Sequence, residues 1–190
     1  MLPSIIMKAP SKILLAILFA IGGAASTQAT PIVGGQIFVQ NSGHVIATFL
    51  DSFSGYDNLL VLASPPNNLG IIFESNVTPT GTVVDLGVFA AGTELVFELN
   101  NQSGGIFFTG PANRNPDNVA HAIVNYQYAP GETFVGFEDF FGGGDFDYND
   151  LQFALSNVGS RAVPDGGGST VMLLGSAILV LVFLRRLAHC

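Results

Sequence analysis

The chain has 190 residues and carries 14 acidic residues against 6 lysines and arginines, a formal net charge of −8. Four of those cations lie in the two end segments, so residues 30–162 keep only Arg114 and Arg161 against thirteen acids. Such a surface repels nucleic-acid phosphates and anionic lipid and attracts metal cations or basic partners, while a single cysteine, Cys190, excludes intrachain disulfides and multi-thiolate metal sites.

Residues 1–29 have the three parts of a secretory signal. Lys8 and Lys12 form the charged start, residues 13–25 are an uncharged apolar run, and Thr27-Gln28-Ala29 offers small residues for cleavage. Signal peptidase is expected to cut after Ala29. The alternative is an N-terminal membrane anchor, for which the run is short. An exported chain without disulfides needs another source of stability, either a sizeable core or bound calcium.

From Pro31 onward, short apolar or alternating runs are broken by Gly, Pro, Asn and Asp. The predicted strands are 36–40, 44–50, 59–63, 70–74, 82–86, 94–99, 105–109, 120–128, 133–138 and 151–156. Strands this short and frequent predict an all-β fold, a single antiparallel β-sandwich of jelly-roll-like form. The clearest alternation runs through 94–99. It places Leu95, Phe97 and Leu99 on the core face, with Glu94 and Glu98 towards water. Most of the sixteen phenylalanines fall in this domain, and tryptophan is absent. That absence counts against sugar stacking, although Tyr56, Tyr126, Tyr128 or Tyr148 supply rings for it.

Residues 136–153 draw the most attention. Five carboxylates, Glu138, Asp139, Asp145, Asp147 and Asp150, are crowded here, and no lysine or arginine occurs from 115 to 160. Either all five point into water or a cation sits among them. Asp145, Asp147 and Asn149 recur at every second position, followed by Asp150, so a curled loop aims several oxygens at one point. Calcium takes six to eight oxygens in irregular geometry. Gly142-Gly143-Gly144 permits the turn that folds the loop over an ion, and Glu138 and Asp139 close the shell from the other side. The expected calcium ligands are therefore Glu138, Asp139, Asp145, Asp147, Asn149 and Asp150. The spacing is not that of an EF-hand, because position 6 from Asp145 is Asp150 and position 12 is Ser156. The plainer reading is a solvated acidic turn capping its own backbone.

Asn115 and Asp117 are either further ligands or an Asn-Pro-Asp turn. His121, at the start of a predicted strand, reads as a packed or hydrogen-bonding residue rather than a ligand or base. Arg114 either pairs with one of these acids or is an exposed turn residue. No nucleophile elbow, zinc-binding helix motif or phosphate-cradling loop with its lysine is present. Crowded into one loop, the acids do not suit the two sides of a sugar. No catalytic residue is assigned, and the chain is expected not to be an enzyme.

Phe137-Glu138-Asp139, Gly142-Gly143-Gly144-Asp145 and Asp147-Tyr148-Asn149-Asp150 resemble the signature of the family called domain of unknown function 4114. Phe108-Thr109-Gly110-Pro111, Arg114-Asn115-Pro116-Asp117 and Ala120-His121-Ala122 fit the same pattern. The resemblance spans roughly residues 59–158. It implies a bacterial exported protein and supplies no activity.

At the C-terminal end, Val163-Pro164-Asp165 and three glycines precede an apolar run, 171–184, closed by Arg185-Arg186. At ~1.5 Å per residue the run spans roughly 21 Å, against a hydrocarbon core of ~30 Å. It reads as a marginal transmembrane helix whose arginines stay in the cytoplasm. The three-part order resembles the PEP-CTERM sorting signals of Gram-negative bacteria, in a variant beginning Val-Pro-Asp. That resemblance implies an exosortase-type processing enzyme, transient retention in the inner membrane, then release to the cell surface or an exopolysaccharide matrix. A plain C-terminal anchor is the alternative. Two functions are expected from the whole: a calcium-stabilised, non-catalytic surface or matrix protein, or a carbohydrate-binding module or weak hydrolase acting on exopolysaccharide.

Overall fold

In the order of the chain, twelve strands build two facing antiparallel sheets. They are β1 (Ile32–Val33), β2 (Ile37–Val39), β3 (Gly43–Asp51), β4 (Asn58–Ser64), β5 (Ile71–Glu74), β6 (Val83–Phe89), β7 (Glu94–Asn101), β8 (Gly105–Phe108), β9 (Ala122–Ala129), β10 (Glu132–Phe137), β11 (Leu151–Ser156) and β12 (Val158–Gly159). The computed structural model describes residues 30–161. The expected signal segment and the sorting tail with its helix, including Val163, Pro164, Asp165, Arg185 and Arg186, lie outside the described residues. A single 3-10 turn, Ala112–Arg114, is the helical element among the described residues.

One sheet has the order β1-β9-β10-β11-β3-β6. The other has the order β12-β2-β7-β4-β5, with β8 on β7. β2 pairs with the first residues of β7 and β8 with the last, so the two follow one another along a single edge. The expected all-β, antiparallel architecture is thus what the chain adopts.

Period-two patterning explains the core. On β3, Val45, Ala47 and Phe49 are buried, and on β7 so are Leu95, Phe97 and Leu99, as their alternation predicts. Phenylalanine rings join the sheets. Phe153 on β11 meets Phe97 on β7 with ring centroids 5.1 Å apart, and Phe73 on β5 lies 5.4 Å from Phe49 on β3. Each such ring removed from water stabilises the fold by about 1.5–3 kcal/mol.

The structure adjusts several expected boundaries. β9 begins at Ala122, so His121 lies in the preceding loop rather than in a strand. β6 continues to Phe89 and β7 to Asn101, beyond the expected ends, because their partners β3 and β4 are long enough to keep pairing. The two-residue strands β1 and β12 were not expected, since so short a run has no periodicity to read.

Register brings three loops to one end of the domain. β11 pairs with β3 so that Gln152 faces Asp51, which sets the loop after β3 beside the loop before β11. β10 pairs with β9 so that Phe137 faces Ala122, which brings the 109–121 loop to the other side.

Candidate metal centre

The acidic loop, residues 138–150, is closed at its neck by backbone bonds. Glu138 N–H donates to His121 O (2.9 Å), and Asp150 N–H donates to Phe137 O (3.1 Å). Inside the loop Gly143 N–H reaches Phe140 O at 2.9 Å and Phe146 N–H reaches Gly143 O at 3.1 Å, forming two successive turns. Phe146 and Tyr148 hold φ of 61° and 55°, a left-handed backbone that bulky side chains seldom adopt. Strain of that kind, about 1–3 kcal/mol per residue, persists where surrounding structure enforces it.

Tyr148 alternates with the acids. Its N–H donates to Glu138 Oε1, and its ring is buried, which removes it from any sugar-stacking role. Glu138 is only 1% exposed. One oxygen from each of Glu138, Asp145 and Asp147 lies within 4.8 Å of the others, a spacing that suits ligands of one cation. Burial pushes the Glu138 carboxyl up to about 7, and the charges of Asp150, Asp145 and Asp147 add to the rise. Gly144 fits here for want of a side chain. At φ +55° a Cβ would stand 2.6 Å from Glu138 Oε2.

Asp139 and Asp150 face a different set of partners. Buried Asp139 accepts bonds from Ser54 Oγ and from Asn58 Nδ2, the latter at 2.6 Å. Asp150 Oδ2 accepts the Asp139 N–H at 2.9 Å. Asn149 folds onto Asp147, with its backbone N–H and side-chain amide both donating to that carboxylate. Six expected ligands therefore divide: Glu138, Asp145 and Asp147 converge, Asn149 braces Asp147, and Asp139 and Asp150 form a separate pair.

The 109–121 loop supports the centre without joining the cluster. Asn115 is buried and serves backbone, accepting from Phe108 N–H (2.7 Å) and donating to Val119 O (2.8 Å). Asp117 receives Gly142 N–H and the His121 Nε2, each at 2.8 Å. Burial pushes its carboxyl upward, but the donors Gly142, His121 and Val119 outweigh that and hold it below the ordinary value. His121 is fully buried, stacks on Phe107 at 3.9 Å between ring centroids, and turns Nδ1 to Glu138 O at 3.1 Å. The two ring nitrogens thus tie the Asp117 side chain to the start of the acidic loop. Arg114 pairs with Glu94 (3.0 Å) and Thr109 O (2.7 Å), not with an acid of the loop, because its turn stands over β7.

Sequence reasoning missed Ser54 and Asn58, some eighty residues before their partner Asp139. The register of β3 against β11 brings Ser54 there, and the pairing of β4 with β7 sets Asn58 opposite Asn101, whose side-chain amide donates to Asp139 O at 2.8 Å. It also missed the loop's exposed rings. Phe140, Phe141 and Phe146, with Phe53 and Tyr56 from the neighbouring loop, face solvent. A cleft lined by Phe38, Val39, Gln40, Ala91, Gly92 and Arg161 involves none of the three loops that meet at the acidic cluster.

Residues 79–157 match a family described as Domain of unknown function (DUF4114). The expected likeness over 59–158 is borne out on that stretch, which holds β6 to β11 and the whole acidic loop. Ser54 and Asn58 lie before it. No curated protein matches the chain, and no solved structure does.

Proposed function

We propose that this chain is a non-catalytic, exported surface or matrix protein whose β-domain is stabilised by calcium at Glu138, Asp145 and Asp147. One observation carries the reading: a carboxylate that is 1% exposed shares a 4.8 Å cluster with two others, and among the described residues no lysine or arginine pairs with them. Among the described residues the arginines are Arg114, engaged with Glu94, and Arg161, placed 6.0 Å over the Phe38 ring. A hard divalent cation supplies the missing charge, and oxygens of the loop together with water complete its shell. Calcium is abundant outside cells, so folding is completed after export. Export itself rests on the sequence of residues 1–29, and sorting on the tail read by an exosortase-type enzyme.

Support for the jelly-roll-like winding comes from the strand orders. β11-β3-β6 on one sheet and β2-β7-β4-β5 on the other follow the neighbour order of that fold, with β8 to β10 inserted.

The test is thermal melting of the full chain with calcium and with excess chelator, beside calorimetric titration. Tight binding and a rise in Tm of several degrees are expected, since a ligand bound only by the folded state stabilises it by mass action. Equal melting in both conditions with no heat of binding refutes the calcium site.

The exposed rings favour a second reading, a carbohydrate-binding module for exopolysaccharide. Rings that face solvent beside a polar, acidic loop are the kind that stack on sugar faces. A glycan array with no retained sugar removes that reading and leaves the first untouched.

A further inference from the structure

The neck of the acidic loop holds a second group of oxygens. Asp139 is buried, and its Oδ2 accepts from Ser54 Oγ and from Asn58 Nδ2. The Asp150 carboxyl lies against it, bound to the Asp139 N–H. Asn58 is fully buried, and its Oδ1 has no hydrogen-bond partner. The amide is fixed in this sense, because Nδ2 serves both Asp139 and Ser54 Oγ, the latter at 3.0 Å. A buried acceptor left unmet is costly, and such an atom in a native fold calls for an explanation.

Three agents are available to this group. A proton shared by Asp139 and Asp150 relieves their repulsion and leaves Asn58 Oδ1 unmet. A water donates to Oδ1 and leaves the charges uncompensated. A cation answers both needs, because carboxylate and amide oxygens are together the donor set of hard cations. We propose that Asp139, Asp150 and Asn58 hold a second cation of the calcium class, distinct from the one at Glu138, Asp145 and Asp147. It ties the start of β4 to the acidic loop. The inference borrows the ion from the proposed function but does not depend on that site being filled.

Calorimetric titration of the full chain with calcium chloride at about pH 8, where carboxyls are ionised, decides the matter. Two ions per chain are expected. Asn58→Ala and the more conservative Asp150→Asn each reduce that to one, whereas paired Asp145→Asn and Asp147→Asn remove the other. A single ion that survives Asn58→Ala and Asp150→Asn overturns the second site and keeps the first. A single ion lost in those two variants alone keeps the second site and overturns the first. No binding at all overturns both. Circular dichroism on each variant confirms the fold, and Asp150→Asn carries the test where Asn58→Ala fails to fold.

Discussion

Glu138 governs how the calcium-free domain responds to pH. Its carboxyl is raised from 4.5 to about 7, first by burial and then by its acidic neighbours, and Asp150 is raised to about 6 for the same reasons. Between about pH 4.5 and 7 the folded chain holds protons on these groups that the unfolded chain has released, so their contribution to stability is greatest below that window and falls as pH climbs through it. Melting in chelator should therefore show a lower Tm at pH 8 than at pH 5. Glu138→Gln removes the acidic charge from the cluster, so its Tm should vary less with pH and should rise less with calcium than that of the unaltered chain. A Glu138→Gln variant that keeps the full calcium shift excludes this side chain as a ligand. Gly136 makes a sharper steric case. A Cβ there would lie 2.3 Å from the Tyr148 carbonyl oxygen, so Gly136→Ala should cost about 1–3 kcal/mol in denaturant unfolding and disturb the loop.

At the scale of elements, ten of the twelve strands were legible because their periodicity is local. The alternation through Glu94 to Leu99 specifies both strand and core face from adjacent residues alone. What was not legible depends on register. Nothing in Ser54 or Asn58 points to Asp139, and nothing in Asp117 points to Gly142, until β3 meets β11, β4 meets β7 and β9 meets β10. The acidic cluster was half legible for the same reason. The spacing of Asp145 and Asp147 gathers them with Glu138, but it carries no sign that Asp139 and Asp150 turn towards the other loop. His121 joins these elements, stacked on β8 and bonded to both Asp117 and the start of the acidic loop. His121→Ala should destabilise the domain by about 2–4 kcal/mol, through lost packing and buried acceptors left unmet. His121→Phe keeps the stack, so the difference between the two variants measures the hydrogen bonds.

For the whole molecule, stability rests on the facing sheets, and the loops only add to it. Phe153 touches Phe97 and Phe73 of the opposite sheet, at 5.1 and 6.3 Å between ring centroids. Phe153→Ala should cost about 3–5 kcal/mol. The same loss is expected in calcium and in chelator, because the ring belongs to the core rather than to the loop. A Phe153→Ala penalty that vanishes in chelator would mean that the sheets themselves need the ion.

β11 leaves the acidic loop at Leu151 and runs six residues towards the opposite pole, roughly 20 Å, before the chain crosses to β12 and reaches Arg161. The domain therefore has a polarity. Anything that grips the chain beyond Arg161 holds it by one pole, and the ring-studded acidic pole faces away from the point of attachment. A molecule tethered in that way meets its surroundings loop first. Its acidic loop and exposed phenylalanines would reach a neighbouring surface before the sheets do.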